Sequence, residues 1–294
     1  MEKRSIRRNA IKSMFRRKGI NGLYAQFIIA IIMFLIIVTA AFPLIVTINN
    51  SLKNNYEIAS GLLTLPQAPR FENWMFGLRG MGVNMINSLI VCLVSTAGIV
   101  LSGSVVAYVM TRHEFPGKEV IFAGIIALMV VPAVLTLVPS YLLMLNLGFL
   151  NTWWALIFQY ISVGQVGAIF LFRTFFSQQP NELFEAARID GAGDFAMFFR
   201  ICLPLAVAIL AIQGVNSFAG IYNDFLWPTL VINSRSIQTL MPILRTVSVP
   251  AQGAYLSRGI MYATFLLSGL PLVFTTALGL KFFVKGDFAA GMKI

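Results

Sequence analysis

Six stretches of this chain, 25–48, 86–111, 120–144, 153–172, 204–222 and 259–280, contain no Asp, Glu, Lys or Arg. Each has about the 20 residues that an α-helix needs to cross the hydrocarbon of a bilayer. In lipid a helix satisfies its own backbone donors and acceptors, which leaves such windows few other structures. The composition agrees: of 294 residues, 58% are hydrophobic, 25 are Phe and only 11% are charged. A soluble core of this size cannot hide so much apolar side chain. The first window is too long, and too polar at Thr47, Asn49 and Asn50, to be a cleaved signal. It counts as a retained span, and the fold class is an all-α membrane protein with six transmembrane helices.

Lys and Arg set the expected orientation. The arm "MEKRSIRRNAIKSMFRRKG" is rich in both, and an even number of spans puts both termini on one side. That side also holds Arg112, Lys118, Arg173, Arg188, Arg200, Lys281, Lys285 and Lys293. The other side holds Lys53, Arg70, Arg79, Arg235, Arg245 and Arg258. The positive-inside rule therefore places the N- and C-termini in the cytoplasm. The net charge of +11 reads as topology signal and headgroup contact, and no nucleic-acid partner is expected. The expected organisation is a basic arm over 1–22, a six-span body over 23–283 and a cytoplasmic tail over 284–294.

Several chemistries lack their residues. Cys92 and Cys202 fall in or beside spans and read as small packing residues. His113 is the single histidine, so a His/Cys metal site has no ligand set. Gly117–Lys118 lacks the first glycine and the Ser/Thr of a phosphate-binding loop. An ion-coupled carrier needs a charged partner in mid-membrane, and all six windows lack one. No nucleophile–base pair marks a membrane enzyme.

Between windows, 50–85 reads as a short helix plus an extended stretch, and 223–258 as a second outer cap. Trp74, Trp153, Trp154 and Trp227 fall at expected membrane–water edges. Pro132 and Pro139 should kink the third span. The short connection near 146–152 makes spans three and four antiparallel neighbours. Gly98, Ser102, Gly103, Ser104 and Ala107 form a small-residue face for close helix packing.

The exception to this hydrocarbon is "EAARIDGAGDFAMFFRICLP", Glu185 to Pro204. Pro180 suits a first helical turn, and Glu182 and Glu185 complement its dipole. Gly191 fits the left-handed residue that closes a helix. Asp194 is placed to cap the next limb, which should run without interruption into the fifth span past Pro204. The expectation is a cytoplasmic helix–turn–helix coupling loop at about 177–204. Ala186 and Ala187 leave room for a partner protein to come close, and Glu185 offers a charge-assisted bond.

This segment resembles the EAA loop of ABC-importer permeases: E-A-A, three residues, G, nine residues, I-x-L-P. Glu185, Ala186, Ala187, Gly191, Ile201, Leu203 and Pro204 match without a gap. "YNDFLWP" at 222–228 and "KFFVKGDFAAGMKI" at the C-terminus are similar to carbohydrate-type permeases, with Tyr222 where Trp is more usual. The chain resembles the smaller permease of the maltose transporter. The resemblance implies a non-catalytic, binding-protein-dependent importer subunit for a sugar or oligosaccharide, in a bacterial cytoplasmic (inner) membrane. It implies a second permease subunit, an ATPase subunit dimer carrying ATP and Mg, and an extracytoplasmic solute-binding protein; this chain itself binds no cofactor. It also implies that tail residues such as Gly286, Gly291 and Lys293 reach the ATPase. A permease for a non-carbohydrate solute is the alternative, with an ion-coupled secondary carrier behind it.

Gln213, Asn216, Gly220 and Asn223 share a face of the fifth span, and Gln159, Ser162 and Gln165 recur in the fourth. Uncharged amides suit a hydroxyl-rich solute. They equally suit hydrogen bonding between packed helices. Asp224 is the acid near these faces, suited to the lip of a pathway or to an outer ion pair.

Overall fold

The computed structural model describes residues 20–248 and 257–291. Most of the basic arm, part of the 223–258 cap and Lys293 lie outside the described residues. Every regular element among the described residues is helical. In chain order these are α1 (Ile20–Ser51), α2 (Asn55–Ser60), α3 (Glu72–Arg112), α4 (Lys118–Val130), α5 (Ala133–Asn146) and α6 (Trp153–Phe176). They continue as α7 (Asn181–Ile189), α8 (Asp194–Leu205), α9 (Val207–Asn223), α10 (Leu226–Val231), α11 (Leu240–Ser248) and α12 (Arg258–Gly291).

Among the described residues, four helices are long and apolar enough to cross a membrane, and up to six spans result if each of two bent pairs counts as one. The first pair is α4 and α5, which meet at 101°. The break falls at Pro132, which is extended at φ −61° and ψ 129°. Pro139, by contrast, continues inside α5. The kink expected of both prolines is thus made at one, where the chain already lacks a helical residue ahead of the ring. The second pair is α8 and α9, at 78°. The second limb of the loop therefore does not run uninterrupted into the fifth span, as the sequence suggested.

Two compact units divide the described chain. In the unit formed by 20–73 and 257–263, α1 exposes apolar side chains from Phe27 to Ile45, as a helix meeting hydrocarbon must. Its C-terminal end is polar and tightly bonded. Lys53 is fully buried, and its Nζ donates to Asn50 Oδ1, the Gly61 carbonyl and Thr64 Oγ1, each at 3.2 Å. Asn73 Nδ2 donates to the carbonyls of Ser51 and Lys53. Asn54 and Glu57 form a reciprocal capping box at α2. Glu57 also accepts from Gln67 N at 2.9 Å, which ties the irregular 61–71 stretch back to α2.

In the unit formed by 74–248 and 264–291, α3 packs against α6 through the small-residue face. A Cβ on Gly103 would lie 2.8 Å from that of Ala168, and one on Gly98 would overlap Ile161. The α3 helix begins at Glu72 and has 41 residues, about 60 Å at 1.5 Å per residue, so part of the segment assigned to a loop is helix. Glu119 bonds Arg173 at 2.6 Å, and the Arg173 guanidinium stacks 3.7 Å over Phe122. These contacts set the start of α4 beside the end of α6, antiparallel as expected.

At the other end of this unit, Asn84 and Asn87 donate to carbonyls of Arg235, Ser236 and Gln238, and Ser88 Oγ accepts from Leu240 N. Trp153 Nε1 donates to the Ile237 carbonyl. Trp227 is buried and donates to the Ala155 carbonyl. It is a packing residue here, not an exposed edge aromatic.

Candidate functional site

The segment Glu185–Pro204 folds as two helical limbs around a glycine turn. Pro180 is the N-cap of α7, one residue ahead of the first turn, at φ −56°. Phe184 turns into the core cluster with Ala107, Tyr108, Phe172, Phe176 and Met197. The opposite face, with Glu185 and Ala186, is exposed, while Ala187 is half-buried. Gly191 takes the left-handed conformation at φ +80°. Ala192 N donates to the Ala187 carbonyl at 2.9 Å and Gly191 N to the Arg188 carbonyl at 3.1 Å. This pair of bonds is the Schellman end of a helix, which needs a residue free of a Cβ penalty at that position.

Gly193, not Asp194, is the N-cap of the second limb, and no side chain caps it. Asp194 lies in the first helical turn, where its charge still favours the helix dipole, and its carboxylate is 3.6 Å from His113 Nε2. Further along, Phe198–Cys202 widens into a π-turn, with Leu203 N donating to the Phe198 carbonyl. Pro204 follows. It has no N–H to give the preceding turn, and the ladder adjusts ahead of it. Ile201 and Leu203 are half-buried and Pro204 is exposed. The limb ends at Ala206, whose N–H turns back to the Leu203 carbonyl.

Two residues hold this elbow that the sequence did not single out. Arg112, the last residue of α3, donates through Nη2 to the carbonyls of Phe176 (3.0 Å) and Gln179 (3.3 Å). Its Nη1 donates to Asn181 Oδ1, and its Cζ lies 3.7 Å over the Phe184 ring. Buried Gln179 donates through Nε2 to the Cys202 carbonyl at 3.1 Å. The available signal was position: Arg112 follows directly on a charge-free window, and Gln179 precedes the helix-starting Pro180. A cavity of about 210 Å³ beside the latch is lined by Tyr108, Arg112, Asn181, Glu185 and Arg188 among others.

A second cavity, of about 490 Å³, lies against α6 and α9. Of the suggested pathway residues it takes Asn223 and Asp224, together with Gly220. Gln159, Ser162, Gln165, Gln213 and Asn216 do not line it. Gln213 Nε2 donates to Ser217 Oγ at 3.0 Å, and Asn223 Nδ2 to the Ala219 carbonyl at 2.8 Å. Asp224 Oδ2 accepts from Tyr160 at 2.9 Å and Oδ1 from Leu226 N at 2.9 Å, so it is tied within the fold, with no ion pair among the described residues. Tyr160 and Ser217 line the cavity too. Neither carried a mark in the sequence, since a Tyr and a Ser inside an apolar window look like packing residues. Of the tail residues, Gly286 and Gly291 lie within α12, which continues past residue 284 without a break.

Comparisons with known proteins identify the family. The family described as the binding-protein-dependent transport system inner membrane component matches residues 98–285. The diacetylchitobiose uptake system permease protein NgcG of Streptomyces coelicolor is 30% identical over 79% of this chain and 77% of its own. The arabinooligosaccharides transport system permease protein AraQ of Halalkalibacterium halodurans is 30% identical over 86% of this chain and 91% of its own. A bacterial ABC transporter that imports the acidic polysaccharide alginate has the same fold: TM-score 0.80, 18% identity, covering 90% of this chain and 99% of that one. The chain belongs to the family of binding-protein-dependent transport system inner membrane components.

Proposed function

We propose that this chain is the permease subunit of a sugar or oligosaccharide importer and that α7, with its glycine turn, docks on a separate ATPase subunit. The observation that carries the docking is the exposed Glu185–Ala186 face on a helix closed at Gly191 and anchored inward by Phe184. Small residues let a partner's backbone approach, and an exposed carboxylate pairs with a partner's Arg or Lys. The charge-free spans leave this chain no coupling ion of its own, so energy must enter from outside it. The named substrates of the two relatives, diacetylchitobiose and arabinooligosaccharides, favour a carbohydrate solute.

In this reading the Arg112 end of the bundle, the elbow and both termini face the cytoplasm of a bacterial cell. A second permease completes the pathway, and a solute-binding protein delivers to the opposite end. Closing of the ATPase dimer on ATP and Mg moves the elbow and biases the bundle between inward- and outward-facing states. Asn223 and Asp224, with Tyr160 and Ser217, are the pathway residues offered to solute hydroxyls, and the C-terminal end of α12 extends toward the ATPase.

The experiment is co-purification and uptake in the assembled system. Glu185→Lys should insert into the membrane at the wild-type level yet lose both the ATPase and solute uptake. Retention of both would sink the docking role.

A further inference from the structure

Arg112 makes contacts that a topology charge does not need. A guanidinium is a planar fork with five donors. Here it reaches the carbonyl of Phe176 in the last turn of α6, the carbonyl of Gln179 in the connection, and Asn181 at the start of α7. Its face covers the Phe184 ring at 3.7 Å, a cation–π contact that grows stronger as water is excluded. Gln179 then donates to the Cys202 carbonyl in α8. One side chain at the end of α3 thus gathers the end of α6 and the loop helix, and one more residue adds the second limb.

The covalent route from the elbow to α9 is poorly built for pushing. It passes a π-turn at Phe198–Cys202 and then a 78° bend at Ala206. A force along α8 meets α9 well off its axis.

We propose that Arg112 is the positioning residue that carries movement of α7 directly into α3 and α6, so that α7 and the ends of these two spans move as one piece. The proposal rests on the docking of α7 described above. Lysine should not replace it. A lysine is a point charge on a flexible stem and cannot hold the fork and the ring together.

The test uses the assembled complex in vesicles with paired spin labels at Ile189→Cys on α7 and Val109→Cys on α3, both of which are exposed positions. The interlabel distance is measured without nucleotide and after trapping the ATPase with ADP and vanadate. With Arg112 in place the distance should be the same in both states. In Arg112→Lys, and separately in Phe184→Leu, it should shift or broaden on trapping. Reading the difference between two states separates a latch from a merely structural role, which would disturb the nucleotide-free distance and leave trapping without further effect. A distance that already changes on trapping with Arg112 present, or one that stays fixed in both variants, overturns the proposal. An ATPase that fails to co-purify with the unsubstituted chain overturns the docking reading instead, and the latch with it.

Discussion

Gly191 has one backbone conformation to supply and nothing to pack. Its φ of +80° lies in the left-handed region, and a Cβ would meet no atom within 4 Å. Gly191→Ala should therefore cost about 1–2 kcal/mol through the backbone alone, measured as a lower Tm of the purified protein in detergent. Lys53 has the opposite problem, full burial amid acceptors. Lys53→Met should strand the buried Asn50 Oδ1 at about 1–3 kcal/mol, while the Gly61 carbonyl keeps its bond from Thr64, and limited proteolysis should show faster cleavage within 61–71. Glu57 adds a pH dependence. Backbone N–H bonds from Asn54 and Gln67 hold its carboxyl below the usual Glu range. Because the folded value is depressed, its contribution is complete above about pH 4.3, the ordinary Glu value. It fades as pH falls through the lower folded value. Protease sensitivity of 61–71 should rise over that acid window, and in Glu57→Gln the rise should be absent.

At the scale of elements, the contact between α3 and α6 depends on residues that are small. Gly103→Val places atoms where Ala168 already sits, and overpacking of this kind costs about 1–3 kcal/mol. A fall in Tm without loss of membrane insertion is the expected result. The helices themselves were legible because absence of charge over 20 residues is a local property. Their ends and bends were less so. Pro132 breaks its span and Pro139 does not, although both rings carry the same local penalty. At Pro132 the residue before the ring, Val131, is extended, whereas the helix runs through Pro139. The bend at Ala206 had no cue at Ala206 itself; Pro204 and the π-turn before it displace the ladder, and the geometry is settled two residues later.

For the molecule as a whole, the prediction is a dependence on partners. Reconstituted alone in vesicles, this chain should not accumulate sugar against a gradient, whereas vesicles holding the assembled importer and ATP should. Accumulation by the isolated chain would defeat the proposed energy route. Local chemistry alone determined the membrane as solvent, the apolar windows and the glycine-turned elbow, since each follows from hydropathy or from one residue's backbone freedom. Tertiary structure decided which polar groups meet. Arg112 and Asn181 are 69 positions apart in the chain, and Tyr160 and Asp224 are separated by 64. Such pairings have no local energy that a sequence pattern can reveal. They form because packed helices bring distant donors and acceptors within reach where each would otherwise be buried without a partner.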